Sequence, residues 1–139
     1  MEDTAGSDDE LRMVLQRVAR SIRRNRNRDD LTPSHLAVLF LLEERPCSPS
    51  ELAELERVTP PSMNRTLNTL QEAGLVVRQR DSEDARRVRV ELTPAGAAAA
   101  EETRALRTEW FARRMTELTA EERATLEAAL PVLRRIVEQ

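Results

Sequence analysis

The chain has 139 residues, 34% of them charged, and a formal net charge of −3; its single Trp, two Phe and absent Tyr mean that any core must be built from Leu, Val, Ala and Met. One His and one Cys are too few for a metal-ligand cluster, and the only conceivable nucleophile pair, Cys47 with His35, has no orienting motif, so no enzyme, catalytic residue, metal or cofactor is expected. No stretch approaches the apolar length of a membrane span, and the acidic start MEDTAGSDDE lacks the basic and apolar regions of a signal peptide, so a cytoplasmic protein with no membrane partner is expected.

Ser7 with Glu10 reads as a capping box leading into Leu11, Val14, Leu15, Val18 and Ile22 at helical spacing, which predicts an amphipathic first helix. No acid interrupts Leu11 to Arg28. Arg17, Arg20, Arg23, Arg24, Arg26 and Arg28 line the polar side and exit of this segment, either as a phosphate-contacting flank or, as we prefer, as a face that pairs with acidic surfaces elsewhere in an assembly or is simply solvated. Thr32-Pro33 starts a second helix with Leu36, Leu39, Phe40 and Leu42 on its apolar side, ending before Pro46. His35 there reads as a partly buried structural or capping side chain. Cys47, just before the next helix, is placed where a helix N-terminus can depress a thiol pKa, so a redox-sensing role stands beside that of a small buried thiol.

Two short helices follow, separated by Arg57 and Val58. Ser48 caps the first, with Pro49 at its first position, Glu51 reaching back as in a capping box, and Leu52, Ala53 and Leu55 as its apolar side. Thr59 and Pro60 start the second, which runs to Gly74, a residue suited to a left-handed C-terminal cap. Met63, Leu67 and Leu70 share the stripe that must face the core. Pro61, Arg65 and Asn68 point the other way, flanked by Ser62, Asn64 and Thr69. That face carries hydrogen-bond forks where a solvated helix would carry alternating Glu and Lys. Arg grips guanine and Asn grips adenine bidentately, so the pattern suits direct readout of a DNA major groove, although a plain polar surface helix is the bland alternative.

Leu75 to Arg80 and the alternating Val88, Val90 and Leu92 predict two strands of a hairpin. Between them DSEDAR is too long for a tight turn and projects as a wing, with Asp84, Arg86 and Arg87 near its return side. Arginine there can enter a narrow minor groove or hold a phosphate, and Asp84 is expected to orient the arginines rather than neutralise them. The overall negative charge argues against a DNA binder, but its distribution does not. From Arg57 to Val90 there are seven arginines (Arg57, Arg65, Arg78, Arg80, Arg86, Arg87, Arg89) and four acids (Glu72, Asp81, Glu83, Asp84), a local net of +3.

Thr93-Pro94 starts a long Ala-rich helix through Leu106 and Trp110. Thr119 with Glu122 caps a last one bearing Leu126, Leu130, Leu133 and Ile136, which Pro131 should kink or interrupt. The first helix and the last two are too thinly supplied with large side chains to fold tightly over so small a core. They call for a partner.

The order of these elements, and above all Asp84-Ala85-Arg86 followed by Leu92-Thr93-Pro94-Ala95-Gly96, resembles the wing and post-wing signature of the MarR family of bacterial transcriptional regulators, over nearly the whole chain. The resemblance implies a mainly α fold with a small β-wing: a winged helix-turn-helix flanked by dimerisation helices. It divides the chain into an N-terminal dimerisation helix (1–30), a DNA-binding lobe (31–93) and C-terminal dimerisation helices (94–139), intertwined as a single domain. It makes Thr59 to Ala73 the recognition helix and sends Arg86 into the minor groove; Ala85, where many members carry a second arginine, implies a weaker grip. Peroxide-sensing members use a cysteine in the leading helix, and this chain has none there. The implied function is a homodimeric repressor of a near-palindromic double-stranded DNA operator, relieved by a small-molecule effector. Leu36, Phe40, Leu106 and Trp110 are candidate walls of the effector cleft, with plain core the preferred role of Leu36 and Phe40. The competing class is a winged-helix module that docks proteins instead of DNA.

Overall fold

The structure, a computed structural model, describes residues 2–25, 30–84 and 86–138. The sequence expectations for Arg26, Arg28 and Ala85 lie outside the described residues. Six helices and one two-stranded antiparallel sheet follow in the order α1 (Glu2–Arg24), α2 (Pro33–Glu44), α3 (Pro49–Glu56), α4 (Pro60–Glu72), β1 (Val76–Arg80), β2 (Val88–Leu92), α5 (Pro94–Thr116) and α6 (Ala120–Val137). This is the winged helix-turn-helix expected. By the density of its contacts the chain divides into two compact units, residues 23–106 and residues 1–22 with 107–139.

Capping fixes most helix starts. Thr32, Ser48, Thr59 and Thr119 each accept a backbone amide three residues on, at 3.1–3.3 Å. At three of these four caps the third residue reciprocates in a capping box: His35 Nδ1, Glu51 and Glu122 accept the amides of Thr32, Ser48 and Thr119. The expected box at Ser7 does not form, because α1 begins at Glu2 and Ser7 is already inside it. A serine within a helix has no orphan amide to cap. Pro131 does not interrupt α6, which continues to Val137.

The core belongs to the unit of residues 23–106. Leu36, Leu39 and Leu42 of α2, Leu52 and Ala53 of α3, Met63, Leu67 and Leu70 of α4, Leu75 and Val76, Val90, and Ala99 and Ala100 of α5 are all buried. Leu55, expected on the apolar side of α3, is 54% exposed, because the two-turn helix buries only the strip around Leu52 and Ala53. The turn between α3 and α4 is made by Arg57, whose positive φ of 54° ends α3 in a left-handed cap.

The hairpin is held on both sides. β1 pairs β2 with Val76 opposite Leu92 and Arg78 opposite Val90. The Val90 amide donates to the Cys47 carbonyl at 2.7 Å and the Val90 carbonyl accepts the Cys47 amide at 3.2 Å, so a single residue ahead of α3 closes the outer edge of β2. At the root of the hairpin the Thr93 hydroxyl donates to the Gly74 carbonyl at 2.6 Å and accepts the Gly96 amide at 3.1 Å. The Thr93 amide donates to the Leu75 carbonyl. Gly96 then lies so close that a Cβ there would sit 2.0 Å from that carbonyl oxygen. The Thr-Pro-Ala-Gly run therefore clasps α5 to the end of α4, which orients the wing.

The unit of residues 1–22 and 107–139 is different in kind. No described residue of α6 or of the 1–22 segment is buried, and Leu11, Val14, Val18, Leu126 and Leu130 are 42–55% exposed. No helix among the described residues is long and apolar enough to cross a membrane.

Candidate nucleic-acid interface

α4 presents the polar face that its spacing dictates. Met63, Leu67 and Leu70 are buried beneath it, and Pro61, Asn64, Arg65, Asn68 and Thr69 are exposed, with Ser62 half-buried at its edge. The first three turns carry no acid; Glu72 comes only at the last residue. Positive potential from the helix N-terminus and from Arg65 therefore reinforce each other at one end. Among the described residues the Arg65 guanidinium makes no hydrogen bond or ion pair. Thr69 donates its hydroxyl to the Arg65 carbonyl at 3.1 Å and Thr66 to that of Ser62, which leaves both hydroxyl oxygens able to accept.

One contact on this face was not foreseen. Arg78, projecting from β1, donates from Nη1 to Asn68 Oδ1 at 3.0 Å and to Gln71 Oε1 at 2.8 Å, with Nη2 3.5 Å from the Asn64 carbonyl. Asn68 is thus not the unengaged fork that its position alone suggests. Nothing in the local sequence announces a bond across ten residues between a helix and a strand.

In the wing, the carboxylates of Asp81 and Asp84 serve the backbone. Asp81 Oδ1 accepts the Glu83 amide at 2.9 Å and Asp84 Oδ1 accepts the Arg86 amide at 3.0 Å, while the Asp84 carbonyl accepts the Arg87 amide. Among the described residues Asp84 approaches an arginine side chain only at Arg87, 3.9 Å from Nε in an exposed pair worth little. The Arg86 guanidinium makes no ion pair among the described residues. Asp84 shapes the loop and leaves the charge of Arg86 available.

The remaining candidates are dispersed. Leu36 is buried in the core at 1% exposure. Phe40 is half-buried with the Arg104 guanidinium 5.4 Å above its ring, and Arg104 pairs in turn with Glu43. Leu106 is half-buried. Trp110, in the other unit, lies beneath Arg114 at 5.4 Å. His35 serves as a reciprocal cap; burial holds its imidazole below the ordinary range, partly offset by Asp30. Cys47 is buried, its thiol 3.5 Å from the Arg45 carbonyl. Burial pushes that thiol upward against the pull of Arg45, the opposite of the depression expected from its place before a helix. The structure corrects that expectation: removal from water outweighs the pull of Arg45 and Arg89. Nearby, the hydrogen bond from Arg45 and then the Ser48 amide hold Glu51 below the usual carboxylate range. No group of three or more His, Cys, Asp or Glu able to hold a metal occurs among the described residues.

Comparisons with known proteins agree with this geometry. The sequence pattern of the MarR family matches residues 29–87. An HTH-type transcriptional regulator of Mycobacterium tuberculosis is 32% identical over 131 residues, 94% of this chain and 92% of its own. A Pseudomonas aeruginosa protein of known crystal structure superimposes with a TM-score of 0.87 at 32% identity, covering 100% of this chain and 98% of that one. The apo form of MarR from Escherichia coli does so with a TM-score of 0.74 at 30% identity, over 91% and 95%.

Proposed function

The chain belongs to the MarR family of transcriptional regulators, and from that premise we propose that it is a homodimer that binds a near-palindromic double-stranded DNA operator and represses transcription. The observation that carries the reading is a pair of guanidinium groups with no partner among the described residues, Arg65 on the acid-free turns of α4 and Arg86 on a loop in which Asp81 and Asp84 accept backbone amides. Arg65, with Ser62, Asn64, Asn68, Thr69 and Pro61 around it, is assigned to the major groove, and Arg86 and Arg87, set by Asp84, to the minor groove or its phosphates.

Dimerisation is inferred from what α1 and α6 fail to bury. Leu11, Val14 and Val18 on one and Leu126 and Leu130 on the other form exposed apolar stripes larger than a solvated helix carries, and a second copy supplies the same stripes in return. On this reading residues 1–30 and 94–139 are the dimerisation helices and residues 31–93 the DNA-binding lobe. Relief by a small-molecule effector is part of the same proposal, supported by family membership alone. The buried Leu36 belongs to the core.

A mobility shift with DNA from upstream of the protein's own gene tests the central reading. Counterion release makes log K fall steeply with log salt, by about 0.9 per phosphate neutralised, so binding should be lost progressively between about 50 and 200 mM salt. A shift that ignores salt, or no shift at low salt, favours the protein-docking module.

A further inference from the structure

Arg78 is half-buried between β1 and α4, and the three atoms it meets, Asn68 Oδ1, Gln71 Oε1 and the Asn64 carbonyl, are all neutral acceptors. A guanidinium has only donors, so the side-chain oxygen of each amide must face it and each NH2 must face away. Asn64, Asn68 and Gln71 follow one another at i+4 and i+3, so one flank of α4 is fixed in this way by a single residue of the wing strand.

We propose that Arg78 is a positioning residue for base readout: by holding Oδ1 of Asn68 toward β1 it turns the NH2 of that amide toward the groove, so that the base met by Asn68 is guanine and not adenine. The inference rests on the reading of α4 as the helix that enters the major groove. An unengaged asparagine reads adenine because its oxygen takes the N6 proton while its NH2 reaches N7. With the oxygen turned toward Arg78 and away from the base, only the bond to N7 remains for adenine, whereas guanine offers acceptors at both N7 and O6. Phosphate is the other acceptor on DNA, but Glu72, one turn beyond Asn68, lines the same surface cleft of about 340 Å3 as Asn68, Gln71 and Arg78. Its carboxylate offsets the charge of Arg78 in that cleft, so no net positive charge favours a phosphate there over a neutral base edge.

Selection of duplexes from a randomised pool by the full-length protein tests this. Asn68→Ala should flatten the preference at one position in each half-site, which identifies the base that Asn68 meets. At that position the wild type should select guanine. Arg78→Met, which keeps length and removes every donor, should shift the guanine-to-adenine ratio there by about fivefold or more toward adenine, with other positions unchanged. Arg78→Lys, which keeps a donor to Oδ1, should retain guanine. Adenine selected by the wild type at that position overturns the proposal even if Arg78→Met does not fold, as does an unaltered ratio in a folded Arg78→Met. A uniform loss of affinity in Asn68→Ala across all sequences makes the contact a phosphate and also overturns it. A wild-type protein that selects no duplex removes the DNA-binding reading itself.

Discussion

Replacing Gly96 by alanine should damage this protein more than any other glycine-to-alanine change. The added Cβ would lie 2.0 Å from the Leu75 carbonyl oxygen and 3.0 Å from both the Leu75 carbonyl carbon and Leu92 Cδ2, and the first obstacle is backbone that cannot rotate away. Restoring even a 3.0 Å approach requires α5 to retreat by about 1 Å, against a carbonyl that also accepts the Thr93 amide. Overpacking of this kind costs about 1–3 kcal/mol, and straining one hydrogen bond of the clasp adds about 1 kcal/mol. The lower unfolded-state entropy of alanine offsets up to about 1 kcal/mol. A net loss of about 2–3 kcal/mol remains, which lowers a urea midpoint by about 1 M or more. The other two glycines are internal controls. Gly74 has open space but a φ of +76°, so alanine there costs about 1 kcal/mol through backbone conformation alone. Gly6, inside α1 with nothing within 4 Å, should tolerate or welcome alanine. Urea denaturation followed by circular dichroism at one fixed protein concentration ranks the three. A Gly96→Ala protein as stable as Gly6→Ala, or more stable than Gly74→Ala, refutes the close approach.

Acid should loosen the start of α2, because protonation of His35 removes the lone pair that accepts the Thr32 amide. The folded-state pKa lies below the free value of about 6.5, so this stabilisation is complete above that pH and is lost as pH falls through the lowered value. His35→Gln completes the box without titrating, and urea midpoints at pH 7.5 and 5.5 should differ less in it than in the wild type. Arg65→Ala should cost about 1–3 kcal/mol of operator affinity and relax one base position per half-site in a competition assay, whereas Arg86→Ala should weaken specific and random DNA alike and reduce the salt slope by about 1. Leu130→Glu, on the exposed stripe of α6, should give a folded monomer by sedimentation at micromolar concentration, while an unchanged dimer would place the interface elsewhere.

What was legible in the sequence was local. The pairs Thr32 with His35, Ser48 with Glu51 and Thr119 with Glu122 lie three residues apart, and such spacing determines the capping bond before any tertiary contact exists. The stripe of Met63, Leu67 and Leu70 and the alternation of Val88, Val90 and Leu92 are likewise fixed by the periods of helix and strand. Contacts across elements were not legible. The pairing of Cys47 with Val90 and the reach of Arg78 to Asn68 depend on how α4 and the hairpin meet, which no short spacing encodes. The Ser7 box failed for a related reason: the motif is present, but the helix had already begun, and a cap has meaning only at an end. Leu55 shows the same limit on burial, since an apolar residue on a short helix is covered only if a neighbour reaches it.

Footprinting on DNA from upstream of the protein's own gene tests the central claim most directly. A closed dimer with one α4 and one wing per chain should protect a near-palindrome whose half-site centres lie about 10 base pairs apart, one turn of the duplex. Arg65→Ala should lose both halves of that footprint together. A single asymmetric half-site, or protection that is indifferent to Arg65, would contradict the account.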